Sequence, residues 1–309
     1  MEFLQLDELQ KQRNEAYYTE KGPGIYKDFK TFGSSRLISE ANALEFYAFA
    51  KENEANLDNE LNVYEFGVGN GKIAFYFLSK LKRIDPIFFK RVKYCLCDIS
   101  KKMLENAEKI NSFANVESIC GDALQTKIND ANYVRSNELY DDLPAKVFVI
   151  KERELFEVHY NEKLEKKYMK ARNGKVMKFM INMPEGYEIP INELTIEHIN
   201  KCIKNTKGYI DIFDYGFYDI SEIKLYPKEM WNNIIVREFN EQVTVDVNFL
   251  HIAKNINASS EVQDQDAYLE KIYGQKFYAS EKDQLYYSTR KKEDAEENYE
   301  YKHMRIACP

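Results

Sequence analysis

The chain has little of what staples small or secreted folds together. Its five cysteines, Cys95, Cys97, Cys120, Cys202 and Cys308, are odd in number and contain no C-x-x-C pair, and its four histidines stand singly. Neither a disulfide framework nor a metal site is indicated. Long apolar runs are missing too, and the longest falls far short of what a membrane span needs. With 51 acids against 44 bases the net charge is −7, so the basic footprint of a sequence-independent nucleic-acid binder is lacking. The start, Met-Glu-Phe-Leu-Gln-Leu-Asp-Glu, has no basic stretch leading into an apolar one and is not Arg-rich, which sets a cytoplasmic protein as the expectation. Internal repeats and low-complexity tracts are absent. What remains is 309 residues, enough to bury a full core as one elaborated domain or as two.

The most informative stretch is Val63 to Gly71, where an apolar run ends in Glu65 and is followed by Gly67, Gly69 and Gly71. A helical pattern begins at once, from Lys72 to Leu81. Strand, tight loop and helix in that order put main-chain N–H groups within reach of a nucleotide-like ligand, and glycines let the ligand lie on the backbone. A dinucleotide fingerprint would need a third glycine at position 72, which is Lys72, so a nicotinamide-dependent oxidoreductase is disfavoured. The spacing E-x-G-x-G-x-G instead resembles the first motif of class I S-adenosylmethionine methyltransferases. The same glycines also suit simple helix-to-strand packing.

Further strand-helix pairs follow: Val92 to Cys97 with 101–110, then Val116 to Ile119, then a fourth strand, Tyr133 to Ser136. Repeated βα units predict a mostly parallel α/β sheet with helices on both faces, and ligands there sit at the carboxyl ends of the strands. Two helical patterns flanking Gly22-Pro23-Gly24 precede the sheet. After Pro144 the rhythm breaks into a hairpin, Val147 to Ile150 and Leu155 to Tyr160, with a further strand expected over Val176 to Ile181. The core pattern resumes with a helix at 192–205, a strand from Tyr209 to Phe213, a strand running into a helix over 243–254 and a helix at 264–273. Residues 281–302 are densely charged, while His303 to Cys308 alternate as a returning strand would, with Met304, Ile306 and Cys308 on one face. This divides the chain into an N-terminal helical cap (1–60), the first half of the core (61–144), a β-rich insertion for substrate recognition (145–191) and the second half of the core with its last strand (192–309). Cys95 and Cys97 alternate on a strand and should both face the core.

Four strand ends carry candidate chemistry. Asp98 ends the second strand, where a carboxylate can accept both hydroxyl protons of a ribose; Asp98 or Ser100 is equally a good cap for the following helix, and the two roles can coexist. Asp122, after Gly121, can accept from an adenine amino group or simply close a turn. Glu65 is expected to attract a cofactor ammonium. Glu138 and Asp141, in the loop Asn137 to Pro144, can clamp a guanidinium through paired charge-assisted bonds and aim one nitrogen at a methyl donor; an acidic turn closed by Pro144 is the structural alternative.

The octapeptide Asn137-Glu138-Leu139-Tyr140-Asp141-Asp142-Leu143-Pro144 resembles the N-E-x-(aromatic)-D-A-L-P signature of the MidA-type methyltransferases, which include a mitochondrial arginine methyltransferase that assists complex I assembly. Tyr17-Tyr18 with Asp28, Phe29 and Thr31 resembles that family's G-Y-Y … D-F-x-T-S segment. Asp98-Ile99-Ser100 is similar to its E-x-S, Asp214-Tyr215-Gly216 to its D-Y-G, Val245 to Phe249 to its H-V-D-F, and Gln263 to Gly274 to a further segment, so the likeness spans about 17–274. It implies a Rossmann-like class I fold, S-adenosyl-L-methionine as cofactor and methyl transfer, with an arginine of a protein partner, such as a respiratory-complex or other assembly subunit, as acceptor. It also implies a cofactor site drawn from Glu65, Gly67, Gly69, Gly71, Asp98, Ile99, Asp122 and Thr31, and a catalytic set of Asn137, Glu138 and Asp141. Asp142 stands where the family has Ala, Phe32 where it has Ser, and Asp98 where it has Glu. The competing expectation is a cofactor-binding assembly chaperone with little turnover.

Overall fold

The computed structural model describes residues 2–27, 36–280, 286–288 and 301–309. The central sheet is built from β1 (Leu61–Phe66), β2 (Val92–Asp98), β3 (Val116–Cys120) and β4 (Ala131–Asn137), with later strands added on one side. An antiparallel layer inserts next: β5 (Lys146–Lys151), β6 (Glu154–Tyr160), β7 (Lys166–Lys170) and β8 (Ile189–Ile191). The chain then returns through β9 (Thr206–Phe217), the hairpin β10 (Val236–Phe239) and β11 (Gln242–Val245), β12 (Ser260–Asp264) and β13 (Tyr301–Ala307). The order across the central sheet is β12-β13-β9-β4-β1-β2-β3. From β9 to β3 all neighbours are parallel, while β13 is antiparallel to both β9 and β12. Strand order therefore reverses between β1 and β4, and the carboxyl ends flanking that point are where a ligand fits.

Nine helices of seven residues or more accompany the strands among the described residues: α1 (Leu6–Lys21), α2 (Arg36–Glu52), α3 (Lys72–Ile84), α4 (Lys101–Ile110), α5 (Gly174–Met180), α6 (Glu193–Lys204), α7 (Phe249–Asn255), α8 (Gln265–Tyr273) and, between β9 and β10, α9 (Lys228–Ile234). Ala74, Phe77, Leu78 and Leu81 lie on one face of α3, and all are buried in a cluster that includes Leu61, Val63 and Tyr94. The opposite face of the sheet packs Phe66, Cys95, Cys97 and Val134 on α6 and α7, so both cysteines are core residues as expected. Met304 and Ile306 are buried in that second cluster, with Cys308 packed at its rim. The returning strand is thus a structural member of the sheet.

The insertion forms its own antiparallel sheet, with the β5-β6 turn held by positive φ at Glu152 and Arg153. Its core also takes in Leu6 and Leu9 of α1 and Trp231, Val243 and Val245 from the later chain. The two N-terminal helices consequently part company: α1 lies against the insertion, whereas Phe46 and Ala50 of α2 pack with α3. One expected strand is corrected. Val176 to Ile181 belongs to the end of helix α5, because Asn173 caps its start by accepting from the Val176 N–H at 3.1 Å, and Val176 and Met180, four apart, bury one helical face. β7, with three lysines in five residues, was not expected. Residues 281–285 and 289–300 of the charged tract lie outside the described residues, as does the Asp28-to-Ser35 segment.

Candidate active site

A cavity of about 760 Å³ opens at the carboxyl ends of β1 to β4, large enough for a nucleotide cofactor with room beside it. One end is built from short, local pieces. Gly67 and Gly69 follow β1 with φ of 69° and 52°, and the Gly67 N–H donates to Cys97 O at 2.9 Å, tying the loop to β2. Asp98 ends β2 and accepts from the Ser100 N–H at 2.8 Å, while Ser100 itself caps α4. Both expected roles of this stretch are therefore compatible in space. Burial pushes the Asp98 carboxyl up to about 6, against the opposing pull of the N–H groups of Ser100, Gly69 and Val68. Ile99 and Asp122 line the same end. The Asp122 side chain accepts from the Leu124 N–H at 2.9 Å and from the Gln125 amide at 3.3 Å, so it closes its turn while bordering the cavity.

Two expected cofactor residues do not line this cavity, and a third cannot be placed. Glu65 is 1 % exposed and accepts from the Tyr94 hydroxyl at 2.5 Å on the α3 side of the sheet. It pairs in register with Arg135, which pairs with Asp211, which pairs with Arg305. Charges of alternating sign thus cross four adjacent strands beneath the site, and Glu65 serves that row. Gly71 starts α3 at φ 75°, and a β-carbon there would meet Ala107 Cα at 2.7 Å. Its role is close packing of α3 on α4. Thr31 lies outside the described residues.

The other end is assembled from distant parts of the chain. β4 finishes at Asn137, whose amide donates to Glu138 Oε1 at 3.1 Å, and Glu138 is held at φ 48°, a conformation uncommon for a side chain of this kind. One carboxylate oxygen of Asp214, at the end of β9, accepts from three successive N–H groups, Leu139 at 3.2 Å, Tyr140 at 2.8 Å and Asp141 at 3.3 Å. This fixes the loop. From the other side α1 adds a polar seam at four-residue intervals. Gln10 donates to Asp141 O at 3.2 Å and accepts from the Ala145 N–H at 2.9 Å; Asn14 donates to Asp142 O at 3.0 Å and exchanges bonds with the Val243 backbone; the Tyr18 hydroxyl lies within hydrogen-bond reach of both the Asp142 carboxylate and the Gln242 side chain.

Asn137, Glu138 and Asp141, the three expected catalytic residues, are thereby brought together on the cavity wall. Asp141 is 2 % exposed, and its Oδ1 is buried without a hydrogen-bond partner among the described residues. Burial raises the carboxyl pKa of Asp141, of Asp142 beside it and of Asp214 behind. Asp7, Glu8, Glu15, Asp98, Asp122, Glu138, Asp141 and Asp142 line the cavity as a whole, against Lys11 and Arg237 among the described residues. Arg237 is tied to Asp246 and lies 4.7 Å from the Tyr215 ring. A wall of this sign favours a cationic guest.

Sequence reasoning missed Gln10, Asn14, Tyr215, Arg237 and Tyr26. The 10-14-18 spacing of hydrogen-bonding side chains on one face of α1 was the available signal for the first two. For Arg237, on a hairpin far along the chain, there was none.

Residues 43–266 match the family model described as "Putative S-adenosyl-L-methionine-dependent methyltransferase". No curated protein sequence matches the chain. Among solved structures, a Burkholderia thailandensis protein holding S-adenosyl-homocysteine superposes with a TM-score of 0.66 at 18 % identity, over 88 % of this chain and 77 % of that one. A second B. thailandensis structure, of an uncharacterised superfamily protein, gives 0.62 at 14 % identity, over 99 % and 87 %. These likenesses establish the class I α/β fold. The end built on β1 to β3 also fits the cofactor on its own evidence: a glycine loop lining the cavity, a carboxylate at the next strand end, and space beside both.

Proposed function

We propose, from the premise that this chain belongs to that family of S-adenosyl-L-methionine-dependent methyltransferases, that its acceptor is an arginine side chain of a partner protein. The observation that carries this reading is the acidic wall around Glu138 and Asp141, with a buried Asp141 oxygen lacking a partner. A guanidinium offers five donors in a rigid fork and keeps its charge at any working pH, so its shape and sign match two neighbouring carboxylates on one wall. No helix among the described residues is long and apolar enough to cross a membrane.

The cofactor, when bound, supplies a sulfonium methyl for in-line transfer. The chain's own residues then have three tasks. Gly67, Gly69, Asp98 and Asp122 hold the donor end, with ionised Asp98 accepting ribose hydroxyls. Glu138 and Asp141 bind the guanidinium on two sides, concentrating its charge on the bound nitrogens and leaving the remaining nitrogen's lone pair to face the donor. As that nitrogen gains its methyl it loses one proton, which passes to a cavity carboxylate or to water. Asp214 and the α1 seam do no chemistry. They keep the loop where both carboxylates face inward.

The test is methyl labelling. Incubating the protein with methyl-labelled S-adenosyl-L-methionine and an extract of cells lacking it, followed by hydrolysis and amino-acid analysis, should place the label on an arginine ω-nitrogen. Label on lysine, carboxyl groups or small molecules would replace the acceptor assignment, and absence of label would favour the assembly-chaperone reading.

A further inference from the structure

The short 3-10 turn Gly22–Lys27 bridges α1 to α4 and closes one wall of the cavity. Ile25, 3 % exposed, anchors it in a small cluster with Tyr17 of α1 and Met103 of α4. Gly22, with φ 51°, lies so close to Lys102 that a β-carbon there would meet the Lys102 Cβ at 2.6 Å. The turn is thereby fixed on both sides, and it carries Tyr26 onto the glycine loop. The Tyr26 hydroxyl lies in the space a Gly69 β-carbon would occupy, so Gly69 is glycine partly to admit this phenol. Around the hydroxyl are the Asn70 N–H and the carboxylates of Asp98, Glu138 and Glu65. Tyr26 therefore stands between Asp98, at the donor end, and Glu138, at the acceptor end.

A bound S-adenosyl group must lay its amino-acid portion along this stretch, and that portion ends in a carboxylate. The carboxylates of Asp98, Glu138 and Glu65 that act on the Tyr26 hydroxyl are acceptors, whereas the loop N–H groups and the phenol itself can donate. We propose that Tyr26 is a cofactor-binding residue whose hydroxyl donates a hydrogen bond to the amino-acid portion of the S-adenosyl cofactor, between the ribose held by Asp98 and the acceptor facing Glu138. The placement rests on the proposed roles of Asp98 and Glu138, but the bond to the cofactor is independent of which acceptor is methylated. Burial raises the phenol's pKa, which keeps its proton available for donation across the working range.

The test compares two ligands that share the adenosine part, S-adenosyl-homocysteine and 5′-methylthioadenosine, which lacks the amino-acid portion. Tyr26→Phe keeps the ring and removes the hydroxyl. By calorimetry its dissociation constant for S-adenosyl-homocysteine should rise about tenfold, or 1.4 kcal/mol, while that for methylthioadenosine stays unchanged. Its ligand-free melting temperature should stay within about 1 °C of the parent. Unchanged affinity for S-adenosyl-homocysteine would overturn the assignment. So would equal weakening of both ligands, or an early-melting variant, because each would mark Tyr26 as a wall or packing residue.

Discussion

The two ends of the cavity are built on different principles. The donor end is local: glycine loop, Asp98 and Asp122 each follow directly from a strand of the parallel sheet, and their mutual placement is set by strand pairing. The acceptor end is a convergence. Its loop is only eight residues long, but the groups that fix it come from α1, from the end of β9 and from the β10-β11 hairpin, more than 70 and up to 131 positions away in the chain. The first kind of site survives wherever the sheet folds. The second depends on long-range contacts that loop sequence alone does not specify, so substitutions should affect the two ends separately unless they strike the sheet beneath both.

The largest effect is expected beneath both. Arg135→Met removes a fully buried guanidinium that is held charged by attraction to groups including Glu65 and Asp211, its neighbours in register, and leaving those carboxylates buried beside an apolar side chain is expected to cost about 3–5 kcal/mol. Denaturant unfolding should show that loss, with Glu65→Gln recovering part of it. Full stability in Arg135→Met would show that the row is not what steadies the strand ends.

Next comes a break confined to the acceptor end. Asp214→Ala takes away the oxygen shared by three loop N–H groups, so Glu138 and Asp141 lose their fixed positions. Methyl transfer at saturating cofactor should fall about a hundredfold, the scale of a small misplacement of reacting groups. Calorimetric affinity for S-adenosyl-homocysteine should be retained.

The smallest effect belongs to the donor end. Because burial holds the Asp98 carboxyl at about 6, it is ionised at pH 7 and increasingly protonated below 6. Only the ionised form accepts both ribose hydroxyls, so cofactor affinity should fall as pH drops from 7 to 5. Asp98→Asn should bind roughly tenfold more weakly at pH 7 and lose most of that pH dependence. An unaltered pH profile in Asp98→Asn would assign the titration to another group.

Legibility in the sequence follows the same division. The strand-loop-helix at Val63 to Leu81, the acids at successive strand ends and the returning strand at Tyr301–Ala307 were readable because each is a local periodicity or a residue at a fixed offset from one. Glu65 and Gly71 stand off the cavity for a physical reason: both sit beside the motif, but alternation along β1 turns Glu65 to the sheet's α3 side, and helix packing claims Gly71. The loop Asn137 to Pro144 was legible through its resemblance, whereas its support was not, since Asp214 carries three backbone bonds that no spacing rule announces. The segment expected as a strand over Val176 to Ile181 is helical instead, because the Asn173 cap sets the start of α5 in the fold.

The most direct test of the central claim, that one cavity has separable donor and acceptor ends, is a paired measurement on Glu138→Gln and Asp98→Asn. Each variant is assayed for S-adenosyl-homocysteine affinity by calorimetry and for single-turnover methyl transfer at saturating cofactor to the arginine acceptor recovered by labelling. The account predicts that Glu138→Gln binds within about twofold of the parent yet transfers slowly, whereas Asp98→Asn binds weakly yet transfers at close to the parental rate once saturated. Near-normal transfer by Glu138→Gln, or a loss of cofactor affinity in it equal to that of Asp98→Asn, would contradict the division.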